Sequence, residues 1–432
     1  MKKLRVALIC HFSTSEIRTE LPLYRPMLQK WIRSAIGKVP QPVESDDFAL
    51  WVSSLIFEFE KIENVELHVI APHSRMTCFT REFSIRGVHY YFFNRNLPYT
   101  YGFVPKKISL FCGNYYIRNR LFVKRFLKQI NPDIVNLIGT ENPDYCITGL
   151  DIKEIPVYAT VQTVYSNPDR LKLSGECDQS RWDIELQLHR KVNYYGTLSR
   201  MHQDLILKNN PGAMFLKHTL SKQMPKFVSN VAKTYDFVLF AANVVAKKGV
   251  EDALHALARI KTLKHDVRLN VVGECHPEYK AALENLIKKL DLVGNVEFHA
   301  YFPLHADMVL HIQKSSFAVL PNKLDAISGT VIEAMALEIP VVTYRTADTP
   351  SLNKDAECVL LADIGDIDTL AAQMTKLLET PLLANTLVRN AKAFVEKNYD
   401  SAASARQIIQ NYRAVIDHYM HHVPIPKELL FE

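Results

Sequence analysis

Short apolar runs alternate with longer amphipathic stretches along most of this chain. In the first half, residues 5–10, 65–70, 88–93, 134–138 and 157–161 are rich in β-branched and aromatic side chains and end in polar or turn residues, so they read as buried strands. Residues 46–61 and 117–130 carry apolar positions at helical spacing, and Ser45 is the predicted N-cap of the first of these helices. The second half repeats the rhythm. Strands are predicted at 237–241, 268–272, 296–298, 317–320 and 341–344, and helices at 250–263, 277–290, 306–314 and 331–337. This α/β alternation implies parallel sheets covered by helices, with ligands at the carboxyl ends of the strands. The loops after Cys10, Ile138 and Val161 are therefore the places to look in the first half.

The chain has 432 residues. That exceeds one ordinary core and suits two domains of roughly 200 residues each. The division predicted is 1–225, 226–400 and a C-terminal piece, 401–432, with the joint in the polar stretch 217–234 around Pro225. A long helix near 402–421 closes the chain, and the Pro424-Ile425-Pro426 tail is expected to be mobile.

Composition narrows the class. With 48% hydrophobic and 23% charged residues the chain reads as a soluble globular protein. Its seven cysteines are scattered, odd in number and never in a CxxC pair, which predicts reduced thiols, a cytoplasmic setting and no zinc site. Lys2, Lys3 and Arg5 precede an apolar run, but the run is too short for a signal peptide and fits a first strand. No stretch of 18 apolar residues occurs, which excludes a membrane-spanning helix.

The net charge of +6 is unevenly spread. From Phe83 to Pro132 there is no Asp or Glu, while Arg86, Arg95, Lys106, Lys107, Arg118, Arg120, Lys124, Arg125 and Lys128 supply nine cations among a dozen aromatics from Tyr90 to Phe126. Such a surface suits anionic lipid, an anionic acceptor or nucleic acid. The plainer alternative is a solvated helix face whose neighbouring aromatics belong to the core.

The densest chemical signal lies between Pro321 and Ala336. A buried strand, a small-residue loop and a helix starting near Ser328 to Thr330 make an anion site, because free backbone N–H groups and the positive end of the helix dipole face the loop. Asp325 and Glu333 flank it, eight positions apart. A carboxylate inside the helix repels phosphate but accepts hydrogen bonds from sugar hydroxyls, so the pair suggests a ligand with both groups.

This segment resembles the acidic-x7-Glu motif of the retaining glycosyltransferases of family 4, with Asp325 and Glu333 at its acidic positions. The resemblance implies the GT-B fold, in which two Rossmann-like domains face each other across a cleft and the last helix crosses back to the first domain. It also implies a donor that is a nucleotide-diphosphate sugar, UDP- or GDP-linked, with no other cofactor. In that case the backbone of Ser328, Gly329, Thr330 and Val331 would hold the diphosphate, Glu333 the ribose and Asp325 the sugar. Asn243-Val244-Val245-Ala246-Lys247-Lys248-Gly249 is similar to the family's Gly-Arg-Leu-x-x-x-Lys-Gly loop. Lys248 falls on the phosphate-binding Lys, but Asn243 stands where Arg is expected, and Asn can only donate neutral hydrogen bonds.

On the acceptor side, Gly139-Thr140-Glu141 resembles the family's loop after a first-domain strand, and Glu141 would orient an acceptor hydroxyl or take its proton. Gln162 replaces a common His, which removes a titrating base but keeps hydrogen bonding. Tyr195 to Arg200 resembles the strand and turn closing the first domain, with Arg200 toward the cleft. Cys275 interrupts a Gly-x-Gly turn, no GxGxxG or P-loop occurs, and the sole DxD, Asp366-Ile367-Asp368, reads as a helix entry rather than a metal site. The expectation is a metal-independent retaining transferase acting on a glycan or lipid-linked acceptor in polysaccharide biosynthesis. It would touch the inner face of an anionic membrane peripherally and bind no nucleic acid. A nucleotide-sugar 2-epimerase of the same fold, or a non-catalytic nucleotide-sugar or glycan-binding protein, are the alternatives.

Overall fold

The computed structural model describes residues 3–23, 48–95, 98, 116–174, 177–219, 223–300, 302 and 305–431. Its first sheet contains β1 (Leu4–Ile9), β2 (Val65–Pro72), β3 (Thr80–Ile85), β4 (Val88–Phe93), β5 (Ile134–Ile138), β6 (Val157–Thr160), β7 (Tyr194–Thr197) and β8 (Met214–Lys217). Their spatial order is β3-β4-β2-β1-β5-β6-β7-β8, parallel except where β3 folds back on β4. The second sheet contains β9 (Tyr235–Val244), β10 (Leu269–Cys275), β11 (Val296–His299), β12 (Ser315–Leu320), β13 (Val341–Tyr344) and β14 (Leu360–Ala362), in the order β11-β10-β9-β12-β13-β14.

Both sheets are doubly wound. The chain builds outward from β1 on one side and returns to β5 on the other, and does the same from β9 to β12. Each reversal leaves a crevice at the carboxyl ends of two adjacent strands, the position where open α/β sheets bind ligands. Helices cover both faces of each sheet because the strands bury side chains on both sides: Val6 to Ile9 and Phe237 to Phe240 are all buried.

Helix Ser401–His421 leaves the second domain and packs on the first. Asp400 caps it by accepting from the Ala402 and Ala403 amides, and Ile408, Ile409, Tyr412 and Val415 join the same core as Leu55 and Phe59 of helix Leu50–Glu60. Asn136 of β5 donates to the Tyr412 hydroxyl at 2.5 Å, which fixes the helix to the centre of the first sheet.

Several local expectations need correction. Helix Leu50–Glu60 begins behind Ala49, which has φ 52° and offers no side-chain cap, while the predicted start at Asp46 and cap at Ser45 lie outside the described residues. The tail beyond His421 is held: Ile425 and Leu429 are buried, and the Phe431 amide donates to the Phe215 carbonyl at 2.8 Å. Two prolines do not loosen a segment whose apolar side chains have a core to enter. The aromatic residues of the basic stretch also turn inward. Tyr90, Tyr91, Phe92, Phe93 and Phe126 are buried, because β4 lies inside the sheet and Phe126 sits on the inner side of helix Ile117–Ile130. Lys106, Lys107 and the aromatics from Tyr99 to Tyr115 lie outside the described residues.

Candidate active site

The loops after β9 and β12 meet at the crevice of the second sheet. After β9 the chain makes a turn at Ala246–Lys248 and enters helix Val250–Lys261 through Gly249. Gly249 has φ 72°, and a β-carbon there would lie 2.2 Å from the Pro321 carbonyl oxygen, so both conformation and contact require glycine. The Lys323 amide donates to the Lys247 carbonyl at 2.9 Å, and the Thr346 hydroxyl donates to the Ala326 carbonyl at 2.6 Å. The 321–328 loop is thus tied at both ends. Lys323 and Tyr344 both bond the buried carboxylate of Asp252, at 2.9 and 2.7 Å, and brace the loop.

Within this frame Lys248 Nζ stands 2.6 Å from Asp325 Oδ2. Burial raises the Asp325 carboxyl, but the charges of Lys248, Lys247 and Arg170 outweigh it and hold the group below its ordinary value. Lys247 is depressed, first by burial and then by the charges of Lys248 and Arg170, against the pull of Asp325. Ser328 is the N-cap residue of helix Gly329–Ala336, and its hydroxyl pairs with that of Thr330 at 3.0 Å rather than closing on a backbone N–H. The amides of Gly329, Thr330 and Val331 belong to the first turn. Val331 donates to the Ser328 carbonyl at 3.0 Å, which leaves Gly329 and Thr330 as the amides facing the loop. Glu333 follows on the same short helix and is half-buried. Asn243 is exposed at the end of β9.

The opposite wall comes from the first sheet. Gln162 is exposed just past β6. Beyond it the chain reaches helix Pro168–Ser174, which packs against the Ala246–Lys248 turn and brings Arg170 within electrostatic reach of Asp325. Sequence reading missed Arg170, since an arginine on a short polar helix gives no local signal.

Glu141 sits deeper than its loop position suggests. Gly139, at φ 87°, lets the Glu141 carboxylate fold back over it, and the side chain is buried. Burial pushes the Glu141 carboxyl up to about 7, and the Glu185 charge adds to this against Arg181 and backbone hydrogen bonds. Glu185, from helix Gln179–Lys191, is fully buried and accepts from the Tyr165 and Ser166 amides at 3.0 and 2.5 Å. His189, one turn on, pairs with the Thr140 hydroxyl at 3.3 Å and is pushed down to about 4 by burial.

Where the domains meet again, Asp348 of the second domain accepts from the Ser199 hydroxyl and from the Arg200 amide, the latter at 3.1 Å, at the start of helix Arg200–Leu207. The Arg200 guanidinium instead stacks on Phe431, 5.0 Å from the ring centroid, and bonds Gln203. These contacts tie it to the C-terminal segment. Asp366 accepts from the Thr369 amide at 3.0 Å and caps helix Ile367–Glu379, the helix entry that its sequence suggests.

Comparison with known proteins finds a family match that spans the loops after β9 and β12. Residues 222–394 match the family described as glycosyl transferases group 1. The chain is 27% identical over 180 residues to the MMP alpha-(1->4)-mannosyltransferase of Mycolicibacterium hassiacum, a stretch covering 41% of this chain and 43% of that protein. Against the glycogen synthase of Mycobacterium tuberculosis identity is 20% over 327 residues, covering 73% of this chain and 77% of that protein. Among solved structures, sucrose-phosphate synthase from Thermosynechococcus elongatus has a TM-score of 0.69 at 15% identity, over 95% of this chain and 98% of that one. The Anabaena protein HepE in complex with UDP and glucose has a TM-score of 0.63 at 14% identity, over 95% of this chain and 100% of that one. At these identities the structural likeness is one of fold. The two sheets and the cleft between them are the GT-B fold, and within it residues 222–394, the second domain, carry the match to the glycosyl transferases group 1 family.

Proposed function

We propose that this chain is a metal-independent, retaining glycosyltransferase that takes its sugar from a nucleotide-diphosphate donor. The observation that carries the reading is the Lys248–Asp325 pair at 2.6 Å in the crevice between β9 and β12, beside the amides of Gly329 and Thr330. Breaking the anomeric C–O bond puts negative charge on the diphosphate and positive character on the sugar, and the catalyst must answer both. In our reading Lys248 and the helix start receive the diphosphate, Glu333 the ribose hydroxyls and Asp325 the sugar. Gln162, exposed on the facing wall, bonds a sugar hydroxyl. The leaving phosphate takes the acceptor proton on the same face, which gives retention without a protein nucleophile. UDP is the favoured nucleotide, since a relative of the same fold was solved with UDP and glucose.

Glu141 lies at the carboxyl end of β5, and its burial supports a role in shaping the acceptor loop through Gly139 and Glu185. For the acceptor we infer a lipid-linked or envelope glycan reached at an anionic membrane surface. Ile117 and Leu121 are 57% and 60% exposed on helix Ile117–Ile130, and Lys124, Arg125 and Lys128 continue its exposed side. Among the described residues no helix is long and apolar enough to cross a membrane.

Calorimetry and turnover with UDP-, GDP- and ADP-sugars test the reading. We expect one nucleotide family to bind, release of nucleotide to accelerate with acceptor, and EDTA to leave turnover largely intact. Isomerisation of donor alone would favour the 2-epimerase. Loss of turnover on chelation, restored by magnesium, would overturn the charge assignment.

A further inference from the structure

Three cations converge on Asp325, and one of them belongs to the other domain. Lys247 and Lys248 follow β9, whereas Arg170 is carried by helix Pro168–Ser174 beyond β6. That helix packs directly on the Ala246–Lys248 turn. The arginine is held in place: its guanidinium lies 4.9 Å from the Tyr165 ring centroid, and Arg181 stacks on the same ring at 4.2 Å. Tyr165 is itself buried, and its hydroxyl accepts from the Asp178 amide at 2.8 Å.

The second domain offers this crevice ammonium groups, and Asn243 at the end of β9 is neutral. An ammonium is a point charge, while a guanidinium presents paired N–H donors that match phosphate oxygens. We propose that Arg170 binds the donor's diphosphate from across the cleft, so that donor binding and the alignment of the two domains are one event. The proposal rests on the donor reading above. It accounts for an arginine stacked at the cleft wall on a helix that packs against the lysine turn.

The test is calorimetric titration of the full-length protein with UDP, GDP and ADP, then with the monophosphate of whichever binds. Arg170→Ala should weaken the nucleoside diphosphate about 10- to 100-fold, the loss of a charge-assisted pair. It should leave the monophosphate nearly unchanged, and Arg170→Lys should recover part of the difference. Arg170→Gln keeps the length of the stem and serves if the alanine variant does not fold. Equal diphosphate binding by wild type and Arg170→Gln overturns the inference and leaves the donor reading standing. An equal fall for monophosphate and diphosphate overturns it too, since the effect would then be structural. A wild-type protein that binds none of the three nucleotides overturns both.

Discussion

Glu333 is the fifth residue of helix Gly329–Ala336, a turn beyond the amides that face the loop. In the proposed donor mode a carboxylate there would receive the two hydroxyls of a ribose whose diphosphate rests on the helix start. Glu333→Gln keeps the shape and removes the charge, so donor binding should weaken by about 1.5–3 kcal/mol, the worth of charge-assisted hydrogen bonds. Unchanged nucleotide affinity in a folded variant would remove Glu333 from this role. Glu141 makes a prediction of a different kind. Its folded pKa, about 7, lies above its ordinary 4.5 because burial disfavours the charged form. The native state therefore holds the proton more tightly than the unfolded chain does. That stability is fully present below the ordinary value and is lost as pH rises through the folded one, by about 3 kcal/mol at most. Urea unfolding of wild type should accordingly weaken as pH rises from about 3.5 to about 8, roughly one unit beyond either end of the window set by the two values. Glu141→Gln should flatten that slope, and an unaltered slope would mean that another group titrates.

At the scale of the element, the anion loop depends on a turn whose geometry only glycine satisfies. Gly249 combines a φ of 72° with the approach of the Pro321 carbonyl. Gly249→Ala should cost about 1–3 kcal/mol of stability from backbone strain. It should also push apart the loops after β9 and β12, and so separate Lys248 from Asp325. Nucleotide affinity should fall with it. A variant with wild-type unfolding midpoint and wild-type affinity would mean that the Pro321 loop yields freely. Helix Ile117–Ile130 is a second element whose two sides differ. Val123, Phe126, Leu127 and Ile130 are buried, while Arg118 and Arg120 are engaged at the Arg95 carbonyl and at Asp151. Reversing those two arginines would damage the fold as well as the surface.

For the whole molecule, the exposed charges left on that helix set the membrane prediction. Each Lys or Arg near an anionic bilayer contributes on the order of 1 kcal/mol. We expect the protein to bind phosphatidylserine-containing vesicles at low salt, to be released as salt rises, and to lose binding when Lys124, Arg125 and Lys128 are changed together to Glu. Co-sedimentation reads this directly. No vesicle binding at low salt, together with full activity of the triple variant on a soluble acceptor, would point to a soluble substrate instead. The two domains also meet through Asp348 at the start of helix Arg200–Leu207, and the C-terminal helix is buried in the first domain, so whatever moves the cleft works against these contacts.

Local pattern alone marked the inner strands of both sheets, the α/β class and the loop that carries Asp325, because hydrophobic period, turn chemistry and the order of strand, small-residue loop and helix are local properties; the edge strands β3, β8 and β14 were not predicted. β2, β4, β5 and β13 lie where their apolar runs stand. Local pattern could not give the side on which a partner lies. The mobile tail was misread because its apolar residues find their core only in the folded first domain, more than 200 residues away at Phe215. For the aromatics near Tyr90 local pattern left a membrane surface and the core both open, because a strand's inner and outer places depend on its neighbours; β4 has β2 on one side and β3 on the other, and the core reading holds. Arg170 and Asp348 acquire meaning only when two domains distant in sequence are brought together. Long-range electrostatics and burial decide their surroundings, and neither is written in the residues beside them.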